Sequence, residues 1–217
     1  MESQEIIDLI NKTYDIDESH QSKIECDFTL NVLNDVTAII GGSGTGKTTL
    51  IRKFLKTQDV TFNLDNEDCI TKLLYDLNPN MDEVFKLLFD VGLSSVPVWK
   101  SPFRTLSNGE KLRFEIAYKI LLPNNYVFVD EFTSMLDRQT AKNLCYKLDG
   151  ILKKYQKKFI FASCHYDIMD WIEVDELYDT NIKKSFTPAN LKRDQNTNWR
   201  STLRKEIAGE FLATITI

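Results

Sequence analysis

A short, largely apolar run, Val36–Ile40, leads into Gly41-Gly42-Ser43-Gly44-Thr45-Gly46-Lys47-Thr48-Thr49, after which Leu50, Ile51, Phe54 and Leu55 recur at helical spacing. A short continuous apolar run suits a parallel strand covered on both faces, because neither face meets water. The glycines behind it open backbone conformations closed to other residues, so the chain can curl tightly and start a helix at once. The pattern is G-x-x-x-x-G-K-T at Gly41, Gly46, Lys47 and Thr48. Its chemistry follows from the spacing. Gly42, Gly44 and Gly46 let the loop, with Ser43 and Thr45, wrap inward so that its N–H groups converge on a β-phosphate. Lys47 bridges the β and γ oxygens, Thr48 ligates Mg²⁺ and Thr49 reaches the α-phosphate.

The strand-then-helix rhythm repeats downstream. Tyr126–Val129 and Lys158–Ser163 are further buried apolar runs, and "KIECDFTLNVL" alternates as a half-exposed strand. Helical periodicity fills Lys47–Leu55, Asp82–Val91, Gly109–Leu122 and Arg138–Tyr155. No repeat or long linker interrupts this, so residues 1–217 read as a single α/β domain. The expected architecture is a mainly parallel sheet flanked by helices, with ligands at the carboxyl ends of the strands. Of 217 residues 42% are hydrophobic, enough to fill such a core.

Composition excludes several classes. The net charge of −5 supplies no global field toward nucleic acid or an anionic membrane, so any such contact must be local. Cys26, Cys69, Cys145 and Cys164 form no C-x-x-C pair, which argues for reduced structural thiols rather than a zinc site or a disulfide framework. The first residues are acidic and polar, and no run of about 18 apolar residues occurs. A cytoplasmic protein without an integral membrane segment is expected.

Two more strand ends carry chemistry. Asp130 closes the Tyr126 run, where its carboxylate can hold Mg²⁺ through water, and Glu131 follows it at the turn, where it can polarise an attacking water. His165 stands at the end of the Lys158 run, where its imidazole can contact a γ-phosphate. A different element precedes them: Ser107-Asn108-Gly109-Glu110 opens an amphipathic helix with the spacing of a capping box. A glycine-loosened helix start is also an anion site.

These segments resemble the ABC-class ATPases. "GGSGTGKTT" is similar to their phosphate loop, "LSNGE" to their signature, "VFVDE" to their Walker B strand, "SMLD" to their D-loop and His165 to their switch histidine, in matching order from about Ile24 to Asp179. The resemblance implies a P-loop NTPase of ABC type with a helical signature subdomain over about 66–123. It implies ATP and Mg²⁺ as cofactors, and a head-to-tail homodimer formed on ATP binding. Ser107, Asn108, Gly109 and Glu110 would then face the γ-phosphate of an ATP held by the other subunit, with the D-loop Asp137 at the interface. "DEFTSMLDR" and "CHYDIMDW" are similar to a soluble branch of the class, some members of which are joined to a predicted acetyltransferase domain.

Departures from the class pattern are equally specific. No glutamine lies between Gln58 and Gln139, so the antiparallel β lobe reads as trimmed, and Asp65 or Asn66 takes the Mg²⁺-sensing place of the usual Q-loop. The aromatic that stacks on adenine is sought upstream: Tyr14, in a loop-like stretch, is the better stacker, whereas Phe28 alternates with Cys26 and Leu30 as a core residue does. The segment of about 181–217 carries Lys183, Lys184, Lys192, Arg193, Arg200, Arg204 and Lys205, read either as a solvated closing helix and loop or as a contact for nucleic acid or a protein partner. Two functions follow: a soluble ATPase that switches such a partner, or the ATP-binding subunit of a transporter with separate transmembrane chains.

Overall fold

Alternation within each apolar run decides how the strands divide their side chains between two cores. The computed structural model describes Phe28 and residues 34–55 and 67–187. In it β1 (Val36–Ile40), β2 (Tyr126–Val129), β3 (Lys158–Ser163), β4 (Glu176–Asp179) and β5 (Lys184–Phe186) form one sheet. The order is β2-β3-β1-β4-β5, with the first four strands parallel and β5 antiparallel to β4. Residues one apart point to opposite faces. Ala38, Ile40, Val127, Val129, Phe159 and Phe161 therefore enter the larger core, and Ile39, Phe128, Ile160 and Ala162 the smaller one.

Six α-helices surround this sheet among the described residues: α1 (Lys47–Leu55), α2 (Ile70–Tyr75), α3 (Met81–Asp90), α4 (Val96–Trp99), α5 (Asn108–Leu121) and α6 (Arg138–Tyr155). Leu50 and Ile51 of α1 close the smaller core, together with Phe28. Helices α2 to α6 close the larger one. Trp99 anchors the helical part, stacking on Phe85 at 5.1 Å and donating its indole N–H to the Leu93 carbonyl at 2.7 Å. A buried tryptophan without such an acceptor would carry an unpaid desolvation cost.

The mainly parallel α/β sheet expected from the sequence is present. Helices expected at Asp82–Val91 and Gly109–Leu122 each begin and end one residue earlier, at Met81–Asp90 and Asn108–Leu121. Their caps explain the shift. Asn80 accepts from the backbone N–H groups of Asp82 and Glu83, and Ser107 accepts from that of Glu110. The β1, β2 and β3 runs stop as read, except that Asp130 and His165 lie just past their strands rather than within them. Strand β4 was not apparent in "EVDELYDT", because acids punctuate it. Glu176 and Asp179 are nonetheless buried, held by Asn34 and by Tyr166 respectively. The basic segment of about 181–217, read either as a closing helix and loop or as a partner contact, begins with β5, entered through a left-handed turn at Lys183. Its residues from 188 onward, the antiparallel lobe, Tyr14, Asp65 and Asn66 lie outside the described residues.

Phe132, fully buried, packs edge-on to Phe159 at 5.2 Å and against Phe161 at 4.9 Å. Phe132→Ala is expected to cost about 3–5 kcal/mol, as emptied aromatic sites do. Urea unfolding of the two proteins measures it.

Candidate active site

Strand β1 delivers the glycine loop to the carboxyl edge of the sheet. Lys47 Nζ lies inside that loop, donating to the carbonyl of Gly41 at 2.8 Å and to that of Gly42 at 2.5 Å. The ammonium is thus pre-placed by its own loop, half-buried, at the first residue of α1. No acid occupies the first turn of α1, so the positive end of its dipole is not neutralised. Gly44 has a positive φ of 78° and open space where a Cβ would stand, whereas a Cβ on Gly41 would meet Thr180 Oγ1 at 2.0 Å. Open space above Gly44, free helix-end N–H groups and one cation fit an anionic polyphosphate.

Strand β2 ends at Val129, and the chain then bends sharply. Glu131 has φ 50° and Thr133 φ 69°, left-handed values that a non-glycine residue adopts only where its surroundings compel it. This resolves a difficulty in the sequence, since adjacent acids on a continuing strand would face opposite sides. The bend leaves Asp130 half-buried and Glu131 exposed. Asp130 Oδ1 accepts from the Glu131 N–H at 2.9 Å, and Ser134 Oγ donates to the Glu131 carbonyl at 2.7 Å.

Strand β3 carries His165 to the same edge. Its N–H donates to Ser163 Oγ at 3.1 Å, and its Nδ1 lies 3.3 Å from Thr133 Oγ1, so the histidine and the acid turn are in direct contact. The loop from β1, the acids from β2 and the histidine from β3 therefore share one edge. Among the described residues no group of three or more His, Cys, Asp or Glu side chains is arranged to hold a metal alone. Thr48 and Asp130 supply one hydroxyl and one carboxylate, the sparse donor set with which proteins hold Mg²⁺ on a phosphate.

The Ser107–Glu110 segment caps α5 reciprocally: Ser107 N–H donates to Glu110 Oε2 at 2.9 Å, and Glu110 N–H donates to Ser107 Oγ at 3.4 Å. The Ser107 hydroxyl, then its N–H, hold the Glu110 carboxyl below its ordinary range. Helix α5 leads into the amino end of β2, so its own start lies toward the carboxyl edge. A Cβ on Gly109 would stand 3.0 Å from the Met135 carbonyl oxygen. Asp137 caps α6, accepting from the Thr140 N–H at 3.0 Å.

Known proteins share the fold. No family model matches the chain. An ATP-binding protein Uup-like of Haemophilus influenzae is 30% identical over 164 residues, which span 63% of this chain and 34% of that protein. The archaeal ribosome recycling factor aABCE1, solved in complex with the ribosomal stalk protein aP1, superposes with a TM-score of 0.52 at 21% identity, over 67% of this chain and 31% of that one. A bacterial Atm1-family ABC exporter with ATP bound gives 0.55 at 15% identity, over 78% and 36%. The fold is that of the ABC ATPases. The chain spans about a third or less of the length of the curated relatives it matches.

Within this ABC fold, four residues that sequence reading passed over back the glycine loop. Asn181 Oδ1 accepts from the Gly42 N–H at 3.1 Å, and Thr180 Oγ1 lies 2.6 Å from Thr45 Oγ1. Asn181 in turn donates to Tyr166 OH at 2.9 Å, and Tyr166 OH donates to the buried Asp179 at 2.7 Å. Burial first, and Asp179 second, push the Tyr166 phenol well above its usual range, so it stays a donor. No motif announces these residues, which meet the loop only because β4 pairs with β1. Cys145 is the inert thiol expected, since burial pushes it up to about 12. Phe28 stacks on Tyr178 at 4.6 Å, a core position.

Asn181→Ala is expected to weaken ATP binding about threefold to tenfold, the worth of one hydrogen bond of roughly 0.5–1.5 kcal/mol. Gly41→Ala should abolish it, and titration with a fluorescent ATP analogue reads both. The Ser107–Glu110 cap has a pH signature. Because the folded carboxyl is depressed, its contribution is present above the ordinary value and is lost as pH falls through the depressed one. Amide exchange at residues 107–111 should therefore accelerate below about pH 4 relative to Glu110→Gln, which lacks that dependence.

Proposed function

We propose that this chain is an ABC-type ATPase that binds ATP with Mg²⁺ between two copies arranged head to tail and uses the cycle of binding and hydrolysis to switch a partner. The observation that carries the reading is the delivery of Lys47, Asp130–Glu131 and His165 to one sheet edge by three adjacent parallel strands. In this reading the loop amides beyond Gly42, whose own N–H is taken by Asn181, and the Lys47 ammonium bind the phosphates, and Thr48 and Asp130 hold Mg²⁺. The ion supplies charge neutralisation at the β and γ oxygens. Glu131 takes the proton of the attacking water and His165 contacts the γ-phosphate.

The capped start of α5, with Ser107, Asn108 and Gly109, serves the nucleotide of the opposite copy, and Asp137 borders that interface. Differential contacts to the γ-phosphate then make the closed dimer the ATP state. The partner, protein or nucleic acid, is proposed to meet the basic segment that begins at the exposed Lys183 and Lys184. A soluble, cytoplasmic role follows from the resemblance to the soluble branch. Among the described residues no helix is long and apolar enough to cross a membrane. The likeness to an exporter supports a second reading, an ATP-binding subunit with separate transmembrane chains.

Glu131→Gln should retain ATP and slow hydrolysis about 10²- to 10⁴-fold. Its mass by light scattering should double from the 25.2 kDa monomer with ATP-Mg²⁺ but not with ADP. A mass unchanged by ATP would remove the two-copy site. Recovery of the tagged protein with membranes would favour the transporter reading, and recovery with nucleic acid or a soluble partner the switch.

A further inference from the structure

Arg138, the first residue of α6, reaches back to the histidine. Its Nη1 lies 3.3 Å from His165 Nδ1, the same nitrogen that Thr133 Oγ1 approaches to 3.3 Å. A guanidinium carries N–H donors only and stays charged at any pH the protein meets. The nitrogen facing it must therefore present a lone pair, which leaves the ring proton on Nε2. We propose that Arg138 is a positioning residue that fixes His165 as its Nε2–H tautomer, so that the imidazole offers a hydrogen-bond donor to the γ-phosphate. The proposal rests on the reading of His165 given above.

The surroundings hold Arg138 on three sides. Asp167 pairs with its Nη2, the guanidinium lies 4.6 Å over the Trp171 ring, and its backbone opens α6 directly behind the capping Asp137. Asp167 and Trp171 belong to the segment that follows His165, so the arginine clamps the histidine and its own neighbours as one unit. On the other side Thr133 is fully buried in a left-handed conformation, a strain maintained where packing fixes the hydroxyl in place. The chemical demand is clear. Phosphate oxygens only accept, and the opposite tautomer would turn a lone pair toward them. Partners that orient a metal-bound histidine are typically worth 10- to 100-fold in affinity or activity, and an effect of that order is expected here. Arg138 also makes the residue after Asp137 a mechanical link between the proposed dimer border and the histidine.

The test is a kinetic cycle of Arg138→Leu, His165→Ala and the double variant. His165→Ala should lower kcat about 10²- to 10³-fold, the cost of removing one transition-state donor. Arg138→Leu should lower kcat about 10- to 100-fold with KM for ATP changed less than about threefold, and the double variant should be no slower than His165→Ala. Arg138→Lys, which keeps a charge for Asp167, should recover part of the loss. Wild-type kcat in Arg138→Leu, or losses that multiply in the double variant, would overturn the proposal while leaving His165 in its role. Wild-type kcat in His165→Ala would remove both.

A second readout does not depend on turnover. The chain has two histidines, so His20→Gln leaves a single imidazole for ¹⁵N spectroscopy. At about pH 8.5, where an imidazole is neutral, His165 should show its proton on Nε2 alone, and Arg138→Leu should show a mixture. A proton on Nδ1 in the parent protein would overturn the assignment.

Discussion

The ladder of β3 does not stop where its neighbours' strands do, and the proposed site depends on that overrun. Beyond the last paired residues, Gly41 N–H donates to the Ser163 carbonyl at 3.3 Å and Phe132 N–H donates to the Ala162 carbonyl at 2.7 Å. One strand thereby holds the first glycine of the phosphate loop on one flank and the acid turn on the other. Ser163 Oγ adds a bond to the Phe132 carbonyl at 2.9 Å and accepts from the His165 N–H. Three loops that are far apart in sequence thus acquire one frame of reference, set by backbone hydrogen bonds and one short, buried serine side chain. Preorganisation of this kind is what phosphoryl chemistry asks of a protein, since positioning and charge carry most of the acceleration.

The frame is stiffened from below by aromatic packing. Phe132, Phe159 and Phe161 form a buried cluster directly under the acid turn, so the left-handed residues Glu131 and Thr133 flank a side chain that has nowhere else to go. Strain at a turn is sustainable when a large apolar group anchors its centre. From the other flank, the Tyr166–Asp179–Asn181 network ties the segment after His165 to Gly42. The glycine loop therefore senses two strands beside its own, β3 through a backbone bond and β4 through an amide side chain.

Helix starts form the second organising theme. Ser107, Asn80 and Asp137 each cap a helix with a side-chain acceptor, and each sets its first residue one position away from where apolar periodicity alone places it, or confirms it. For Ser107 and Asp137 the same geometry that ends a local accounting of N–H groups also presents a positive helix end on the active side of the sheet. In the proposed dimer, stability and recognition would use one set of atoms.

Local chemistry, read from the sequence, determined β1, β2 and β3, the four long helices, the glycine loop and the candidate residues Lys47, Asp130, Glu131, His165 and Ser107. Each of these announces itself through periodicity, a cap or a spacing that depends on near neighbours. The tertiary structure alone decided which strands lie side by side, and so that Thr180 and Asn181, some 139 residues from Gly42, support the loop. It also decided that "EVDELYDT" is a buried strand, because its acids find partners in Asn34 and Tyr166 that no local pattern foretells. The approach of Arg138 to His165 belongs to the same class. A short-range pattern fixes what a segment can be, whereas long-range pairing fixes what each polar side chain meets.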